Sequence, residues 1–464
     1  MSYTHKIAII GAGFSGTMVA VQLLRQTRQP LTVYLIEPNL RQVGRGRAYS
    51  TDQDCHLLNV PAHNMSALPD EPAHFFTWAK VRESGLLENR WVTEVAPNAF
   101  LPRRVYGDYL VDLLDKTEQQ AANHCRLEKI TANVIGITLE PGHIALKLDT
   151  GGLLSAQNAV LAIGNFPPSD SWVNGTDFTA SGRYFSNPWQ TDALAALLET
   201  RSCLLVGSGL TMVDWAIALS EAGYQGQIHS ISRHGLMPQV HRPCQKRLTP
   251  LAFAAPTSVR RCLRQIRRLI QVSDHDWRAV LDALRPVSQS LWEALPLSEQ
   301  RRFLRHLRTY WDCHRHRLAP VVGSRLDDLL NTGQLRQHSG RVLACHDNGQ
   351  GVEVVFRARG QTKTQTLVVG AVANCTGSES NYRKLTNPLV QDLLNQHLIR
   401  PDPLMLGLDV AADGALIDAG GKVSKQLFTL GPPQKGRLWE TTAVPELRGQ
   451  AEKLARLLLA AGEA

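Results

Sequence analysis

Lys6-Ile-Ala-Ile-Ile-Gly11-Ala-Gly-Phe-Ser-Gly16 and, one helix later, Leu31-Thr-Val-Tyr-Leu-Ile-Glu37 decide the fold. The opening run is short, apolar and bounded by glycine, as a buried strand should be. Met18, Val19, Val21, Leu23 and Leu24 then recur on one helical face. Strand, glycine turn, helix and second strand make a βαβ unit. In such a unit Gly11 permits the tight turn, Gly13 lets the backbone approach a pyrophosphate, and Gly16 lets the helix pack closely on the strand. The N–H groups of Gly13, Phe14, Ser15 and Gly16 at the helix start are then available to phosphate oxygens. Glu37 follows Gly11 by 26 positions and ends the second strand, where a carboxylate accepts both hydroxyl protons of an adenosine ribose.

The grammar recurs once. Ser202-Cys-Leu-Leu-Val206 runs into Gly207-Ser-Gly209-Leu-Thr-Met212, then a helix through Val213, Ile217 and Leu219, then a strand near Gln227 to Ile231. The residue 26 positions after the first glycine is now Arg233, preceded by Ser232. A guanidinium and a hydroxyl suit a 2′-phosphate, whereas Glu37 would repel one. The first unit therefore reads as an FAD site, and the second, through Gly207, Gly209, Leu210, Thr211, Ser232 and Arg233, as an NADPH site. Met212 at the third glycine position should hold the second helix further from its strand.

Arg126 to Leu148 alternates like a small meander, and Ala159 to Gly164 reads as a strand with a glycine turn. A second meander is expected over Arg341 to Val355, then a strand over Leu367 to Cys375. Leu427-Phe-Thr-Leu-Gly431 and a helix from about Pro445 to Leu459 should complete the first unit. The expected class is α/β, with two Rossmann-like domains of glutathione-reductase type, discontinuous, and a helical insertion. The expected boundaries are 1–170 and 376–464 for the FAD domain, 171–240 and 331–375 for the NADPH domain, and 241–330 for the insertion.

Composition bounds the rest. With 464 residues, 43% hydrophobic and 20% charged, the chain has room for several packed domains and is neither disordered nor repetitive. Eight single cysteines without a CxxC spacing fit a reduced, cytoplasmic protein; neither a signal peptide nor a membrane span is expected. Residues 241–330 hold 17 Arg and Lys against 8 Asp and Glu, a local +9 that equals the formal charge of the whole chain. Val259, Cys262, Leu263, Ile266, Leu269 and Ile270 make an apolar stripe there, while Arg260, Arg261, Arg264, Arg267 and Arg268 fill the other face. That face reads first as solvated, then as a surface for an anionic substrate or the NADPH phosphates, and last as a nucleic-acid or lipid surface. His314 and His316 stand two apart on an expected helix and point away from each other, so no metal site is expected.

The chain resembles the two-dinucleotide-domain flavoproteins. More narrowly it is similar to bacterial FAD/NAD(P)-binding proteins beside the flavin-dependent and N-hydroxylating monooxygenases. The resemblance rests on Gly46-Arg-Ala-Tyr49, Leu57-Leu-Asn-Val-Pro-Ala62 with Met65-Ser66, Tyr106-Gly107, Gly209-Leu-Thr-Met-Val-Asp214, Ser232-Arg233, Tyr310-Trp-Asp312 with His314, Arg315 and His316, and Trp439-Glu-Thr-Thr-Ala-Val-Pro-Glu-Leu-Arg448. It implies that the loop from Gly46 to Asn59, with Arg47, follows the flavin, and that Asn59 and His63 are the residues nearest the chemistry. Val134, Gly164, Gly431, Trp439, Glu440 and Thr441 are the remaining cofactor candidates it implies. A lone Cys55 in the loop after Glu37 argues against dithiol reduction. Phe185-Ser-Asn-Pro-Trp189 lacks the glycine and histidine of the sulfoxidising and Baeyer–Villiger enzymes, which leaves N-hydroxylation. The expected function is an FAD- and NADPH-dependent monooxygenase of a small polar metabolite, using molecular oxygen. The alternatives are an NADPH-dependent reductase or oxidase without oxygenation, and a non-catalytic FAD-binding sensor or scaffold; the oligomeric state is left open.

Overall fold

The computed structural model describes residues 4–173, 176–187, 189–190, 192–242, 258–274 and 276–461. Cys244, the segment 243–257 of the basic region, and Pro188 of the Phe185–Trp189 run therefore lie outside the described residues.

In chain order the strands are β1 (His5–Ile10), β2 (Leu31–Ile36), β3 (Cys125–Ile130), β4 (Val134–Glu140), β5 (His143–Leu148), β6 (Leu153–Ala156), β7 (Asn158–Leu161), β8 (Tyr184–Phe185), β9 (Ser202–Val206), β10 (Gln227–Ser232), β11 (Leu335–Asp347), β12 (Val352–Ala358), β13 (Thr364–Val369), β14 (Ala371–Asn374), β15 (Ala415–Ile417) and β16 (Val423–Thr429). The first sheet is six-stranded in the order β15-β16-β7-β1-β2-β3, parallel from β16 to β3. Its strands β1 and β2 are almost wholly buried, as parallel strands covered on both faces must be. Side chains alternate across the sheet: Ile7 and Ile9 meet the helices Phe14–Gln26, Arg103–Gln120 and Val444–Ala461, while Ala8 and Ile10 meet the antiparallel β4-β5-β6 meander.

The expected first meander is thus two things. Cys125–Ile130 pairs in parallel with β2, and only β4 to β6 form the meander. Alternation gives a strand but not its partner, so the sequence pattern merged them.

The second sheet is seven-stranded, in the order β13-β12-β11-β10-β9-β14-β8. Strand β11 does double duty: Leu335 to Ser339 continue the parallel core beside β10, and Gly340 to Asp347 turn to an antiparallel ladder with β12. The helix Leu210–Glu221 covers one face, and Met212 at its start is fully buried.

Within 258–331, helices Val259–Val272, Trp277–Leu284, Ser288–Ala294, Leu297–His306 and Arg308–Arg315 form the helical insertion. The following helix Pro320–Asn331 belongs elsewhere. Its Val322, Leu326 and Leu329 enter the core of the second domain, making it the crossover between β10 and β11. The insertion has its own small core around Val280, Leu281 and Leu284, and a second contact where Trp292 meets Trp439 and Leu406 of the C-terminal region.

The domains meet over a defined seam. Cys55, Leu57 and Trp91 of the first pack into the core of the second, and Trp91 Nε1 donates to Glu221 at 3.0 Å. Arg103 bridges to Asp214 at 2.8 Å, with side chains 17% and 10% exposed, and its Nε donates to the Leu57 carbonyl.

Candidate active site: two glycine cradles and the seam between them

The first glycine turn sits at the C-terminal edge of β1, where an open parallel sheet receives a ligand. Gly11 has φ +98°, and a Cβ there would lie 2.5 Å from the Ala162 carbonyl oxygen. A Cβ on Gly16 would lie 1.9 Å from the Gly11 oxygen, so helix and turn are in backbone contact. Gly13 is approached closely by a second glycine, since a Cβ on Gly46 would come within 3.0 Å of the Gly13 Cα. No side chain caps the helix that begins at Phe14, which leaves its first N–H groups free of side-chain acceptors. Glu37 Oε2 accepts from the Ala12 N–H at 3.1 Å and Oε1 from the Asn39 N–H at 3.2 Å, fixing the carboxylate beside the cradle.

Residues distant in sequence converge on the same edge. Gly431, at φ +76°, is so placed that a Cβ would be 3.0 Å from Ser15 Oγ. Its N–H donates to Gln450 Oε1 at 2.9 Å, and Thr441 Oγ1 donates to its carbonyl at 3.1 Å. Gly164, at φ +63°, leads out of β7, and Arg47 Nη1 reaches the Asn165 carbonyl at 3.4 Å. Glu37 is the opposite charge Arg47 feels. Glycines, uncapped helix and carboxylate fit a dinucleotide carrying a ribose and a pyrophosphate. Val134 is buried at the start of β4, its side chain in the core on the meander side of the sheet.

The second cradle repeats the first. Gly207 has φ +120°, a Cβ there would lie 2.3 Å from the Cys375 oxygen, and its N–H donates to the Ile231 carbonyl at 2.8 Å. Gly209 caps the helix starting at Leu210 and Thr211 with no side-chain acceptor, and its Cβ position is open. Ser232 Oγ accepts from Ser208 Oγ at 2.8 Å and from the Gly235 N–H at 3.0 Å, while Arg233 stands exposed at the strand end. Beside it, His234 Nδ1 is buried without a partner, and burial with Arg359 and Arg233 lowers its pKa.

The two loop residues expected nearest the chemistry are each held by a partner distant in sequence. The Asn59 carbonyl accepts from His241 Nε2 at 3.0 Å, although the two are 182 positions apart. Burial, reinforced by Arg317, pushes His241 down to about 4. His63 hydrogen-bonds the Pro97 carbonyl through Nδ1 at 2.7 Å. Trp439 is turned the other way: it has φ +58°, is 6% exposed, and stacks on Trp292 at 5.1 Å between ring centroids with Phe303 edge-on. Its indole is a core side chain joining the insertion to the closing segment, because three aromatic rings bury more apolar area together than any of them beside a polar loop. Glu440 is buried next to it and accepts from Trp311 Nε1 at 2.7 Å. Burial raises the Cys55 thiol to about 12, which leaves it unreactive. Helix Arg308–Arg315 ends before His316, so the two histidines do not share a helix; His314 bonds the Tyr310 carbonyl. Among the described residues no group of His, Cys, Asp or Glu could hold a metal, and no helix is long and apolar enough to cross a membrane.

Sequence reading did not find Gln450, the Arg103–Asp214 bridge or His241. Gln450, Arg103 and His241 belong to no local motif, and although Asp214 ends the Gly209–Asp214 segment, its partner comes from a distant element.

The fold and the two cradles are those of the two-dinucleotide-domain class. Residues 8–166 match the family model described as FAD-NAD(P)-binding, and no curated protein matches by sequence. Among solved structures, L-lysine 6-monooxygenase from Pseudomonas syringae is similar with TM-score 0.66 at 16% identity, over 99% of this chain and 100% of that one. Ornithine hydroxylase from Pseudomonas aeruginosa matches at 0.65 and 15%, over 99% of both chains. The ornithine N-hydroxylase of Kutzneria sp. 744 matches at 0.65 and 15%, over all of both chains. The fold of the N-hydroxylating monooxygenases is therefore that of this chain from end to end.

Proposed function

We propose that the protein is an FAD- and NADPH-dependent N-hydroxylating monooxygenase of a small polar amine, acting in the cytoplasm with molecular oxygen as co-substrate. The observation that carries this reading is the pairing of two unlike cradles across one seam: an acid, Glu37, beside the first and a base, Arg233, beside the second. The full-length likeness in fold to enzymes named for ornithine and lysine hydroxylation supports it. When bound, FAD accepts two electrons from NADPH and activates oxygen for transfer to an amine. The reaction takes one oxygen atom to nitrogen and releases the other as water, at the expense of one NADPH and one proton.

In this reading Gly11, Gly13, Phe14, Ser15 and Gly16 hold the FAD pyrophosphate, Glu37 the adenosine ribose, and Gly46, Gly164 and Gly431 shape the walls. Gly207, Gly209, Leu210 and Thr211 hold the second pyrophosphate, and Ser232 with Arg233 selects the 2′-phosphate. Asn59 is fixed through its backbone by His241, and His63 is fixed by Pro97.

The test is anaerobic reduction of FAD-loaded protein by NADPH and NADH in parallel, then mixing with oxygen and a panel of primary amines. NADPH consumption, hydroxylamine and hydrogen peroxide are all measured. Selective reduction by NADPH with hydroxylamine formed in proportion is expected. Reduction that yields only peroxide with every amine would make the protein an oxidase, and no reduction by either nucleotide would end the enzyme reading.

A further inference from the structure

Trp439 occupies a backbone conformation that glycine adopts freely and a tryptophan does not, with φ +58° and ψ −65°. The Leu438 carbonyl accepts from the Glu440 N–H at 2.6 Å, which closes a three-residue turn of the rare, strained hand. The Trp439 indole N–H is also buried without a partner. A residue under such strain persists only where its surroundings over-determine it. Here the surroundings are the helical insertion. Trp292 stacks on the Trp439 ring at 5.1 Å, and Phe303 meets it edge-on at 5.2 Å. Trp292 Nε1 donates to the Gly436 carbonyl at 2.9 Å, and Trp311 Nε1 to the Glu440 carboxylate at 2.7 Å. Arg285 grips Glu446 with both arms of its fork, at 2.7 and 2.9 Å. The insertion thus holds the segment 436–446 at both ends and at its turn.

That segment leads to the first cradle. Thr441, two residues after the turn, is fully buried and donates through Oγ1 to the Gly431 carbonyl at 3.1 Å. Gln450 Nε2 donates to the same hydroxyl at 2.8 Å, while Gln450 Oε1 accepts from the Gly431 N–H at 2.9 Å. Both backbone groups of Gly431 are therefore fixed by Thr441 and Gln450. Gly431 in turn lies so close to the helix start that its Cβ would be 3.0 Å from Ser15 Oγ. The bend at Trp439 decides where the Thr441 hydroxyl falls, and with it the wall of the cradle.

We propose that Trp292 and Phe303 are positioning residues for FAD. Docking of the insertion holds the turn at Trp439, the turn places Thr441, and Thr441 with Gln450 sets Gly431 against the cradle. The insertion is then thermodynamically coupled to FAD binding. This rests on the reading of the first cradle as the FAD site, and on nothing about amine or oxygen.

The test is a double-mutant cycle on the FAD-loaded protein. FAD affinity, read as flavin fluorescence released on serial dilution, is measured for wild type, Trp292→Ala, Thr441→Val and the double variant. Leu329→Ala, in the core of the second domain, controls for general loss of stability, with melting curves for all. W292A and T441V are each expected to weaken FAD about 10-fold or more, and the double variant hardly more than the weaker-binding single one. L329A should lower Tm and leave FAD affinity at the wild-type value. Wild-type affinity in a folded W292A, equal weakening in L329A, or single effects that multiply in the double variant would each overturn the proposal. If W292A does not fold, Phe303→Leu takes its place in the cycle with the same expectation. A wild-type protein that holds no FAD would remove the reading of the first cradle, and this proposal with it.

Discussion

Gly16→Ala tests the first cradle most sharply. The added methyl would start 1.9 Å from the Gly11 oxygen and 3.0 Å from Ile9 Cγ2. Ordinary contact needs about 3.4 Å or more, so helix and turn must separate by roughly 1.5 Å. Neither side yields easily, because the turn is pinned by the Gly11 N–H to the Ile36 carbonyl at 2.8 Å and the first eleven residues of the helix, Phe14 to Leu24, are buried. Overpacking of this kind costs about 3 kcal/mol. At about 2–4 °C per kcal/mol for a domain of this size, Tm should fall by roughly 6–12 °C. The displaced helix start should also weaken FAD about 100-fold, since a shift of that order at a binding terminus carries such a penalty. The assay is the flavin-to-protein absorbance ratio after dialysis, with calorimetry of FAD rebinding and a melting curve. Gly209→Ala is the matched control: φ is −85° and no heavy atom lies within 4 Å of its Cβ position. It should keep the fold and the FAD and weaken only NADPH. Wild-type FAD occupancy and an unchanged Tm in G16A would refute the argument that the helix rests on the turn.

Removing the guanidinium with Arg103→Ala leaves Asp214 buried and unpaired across the seam, and should cost about 3 kcal/mol by urea unfolding; a loss below about 0.5 kcal/mol would mean the seam is held by its apolar contacts alone. Arg233→Ser should raise the KM for NADPH by about 10–100-fold and leave that for NADH nearly unchanged, and a parallel rise in both would place the 2′-phosphate elsewhere. Burial, reinforced by His338 at 3.0 Å, pushes His229 down to about 4. The folded pKa lies below the unfolded value near 6.5, so the unfolded state binds the extra proton and stability is full above pH 6.5. It then falls toward pH 4 by at most about 1.4 kcal/mol per pH unit. His229→Asn should flatten that slope in denaturant titrations at pH 7, 6 and 5, and an unchanged slope would show that His229 is not its source.

The two glycine turns and the residues 26 positions after them were legible because their requirements are local. A positive φ at Gly11 and a backbone contact at Gly16 are imposed within one βαβ unit, where sequence spacing and spatial spacing coincide. The alternating segments gave strands, but assigned Cys125–Ile130 to the wrong sheet, since period two says nothing about partners. The stripe on Val259–Val272 gave a helix with a half-buried face, while the helix Pro320–Asn331 carried no sign that its apolar face belongs to the second core.

Sequence alone thus determined the fold class, the two unlike nucleotide cradles and the concentration of positive charge in one region. Only the tertiary structure decided what faces the seam. It brought His241 to Asn59, Arg103 to Asp214 and Gly431 to Ser15, and turned Trp439 into the insertion. These are contacts between residues far apart in sequence, set by how helices and sheets pack, and a side chain's partner across such a gap is fixed by the packing and not by its neighbours along the chain.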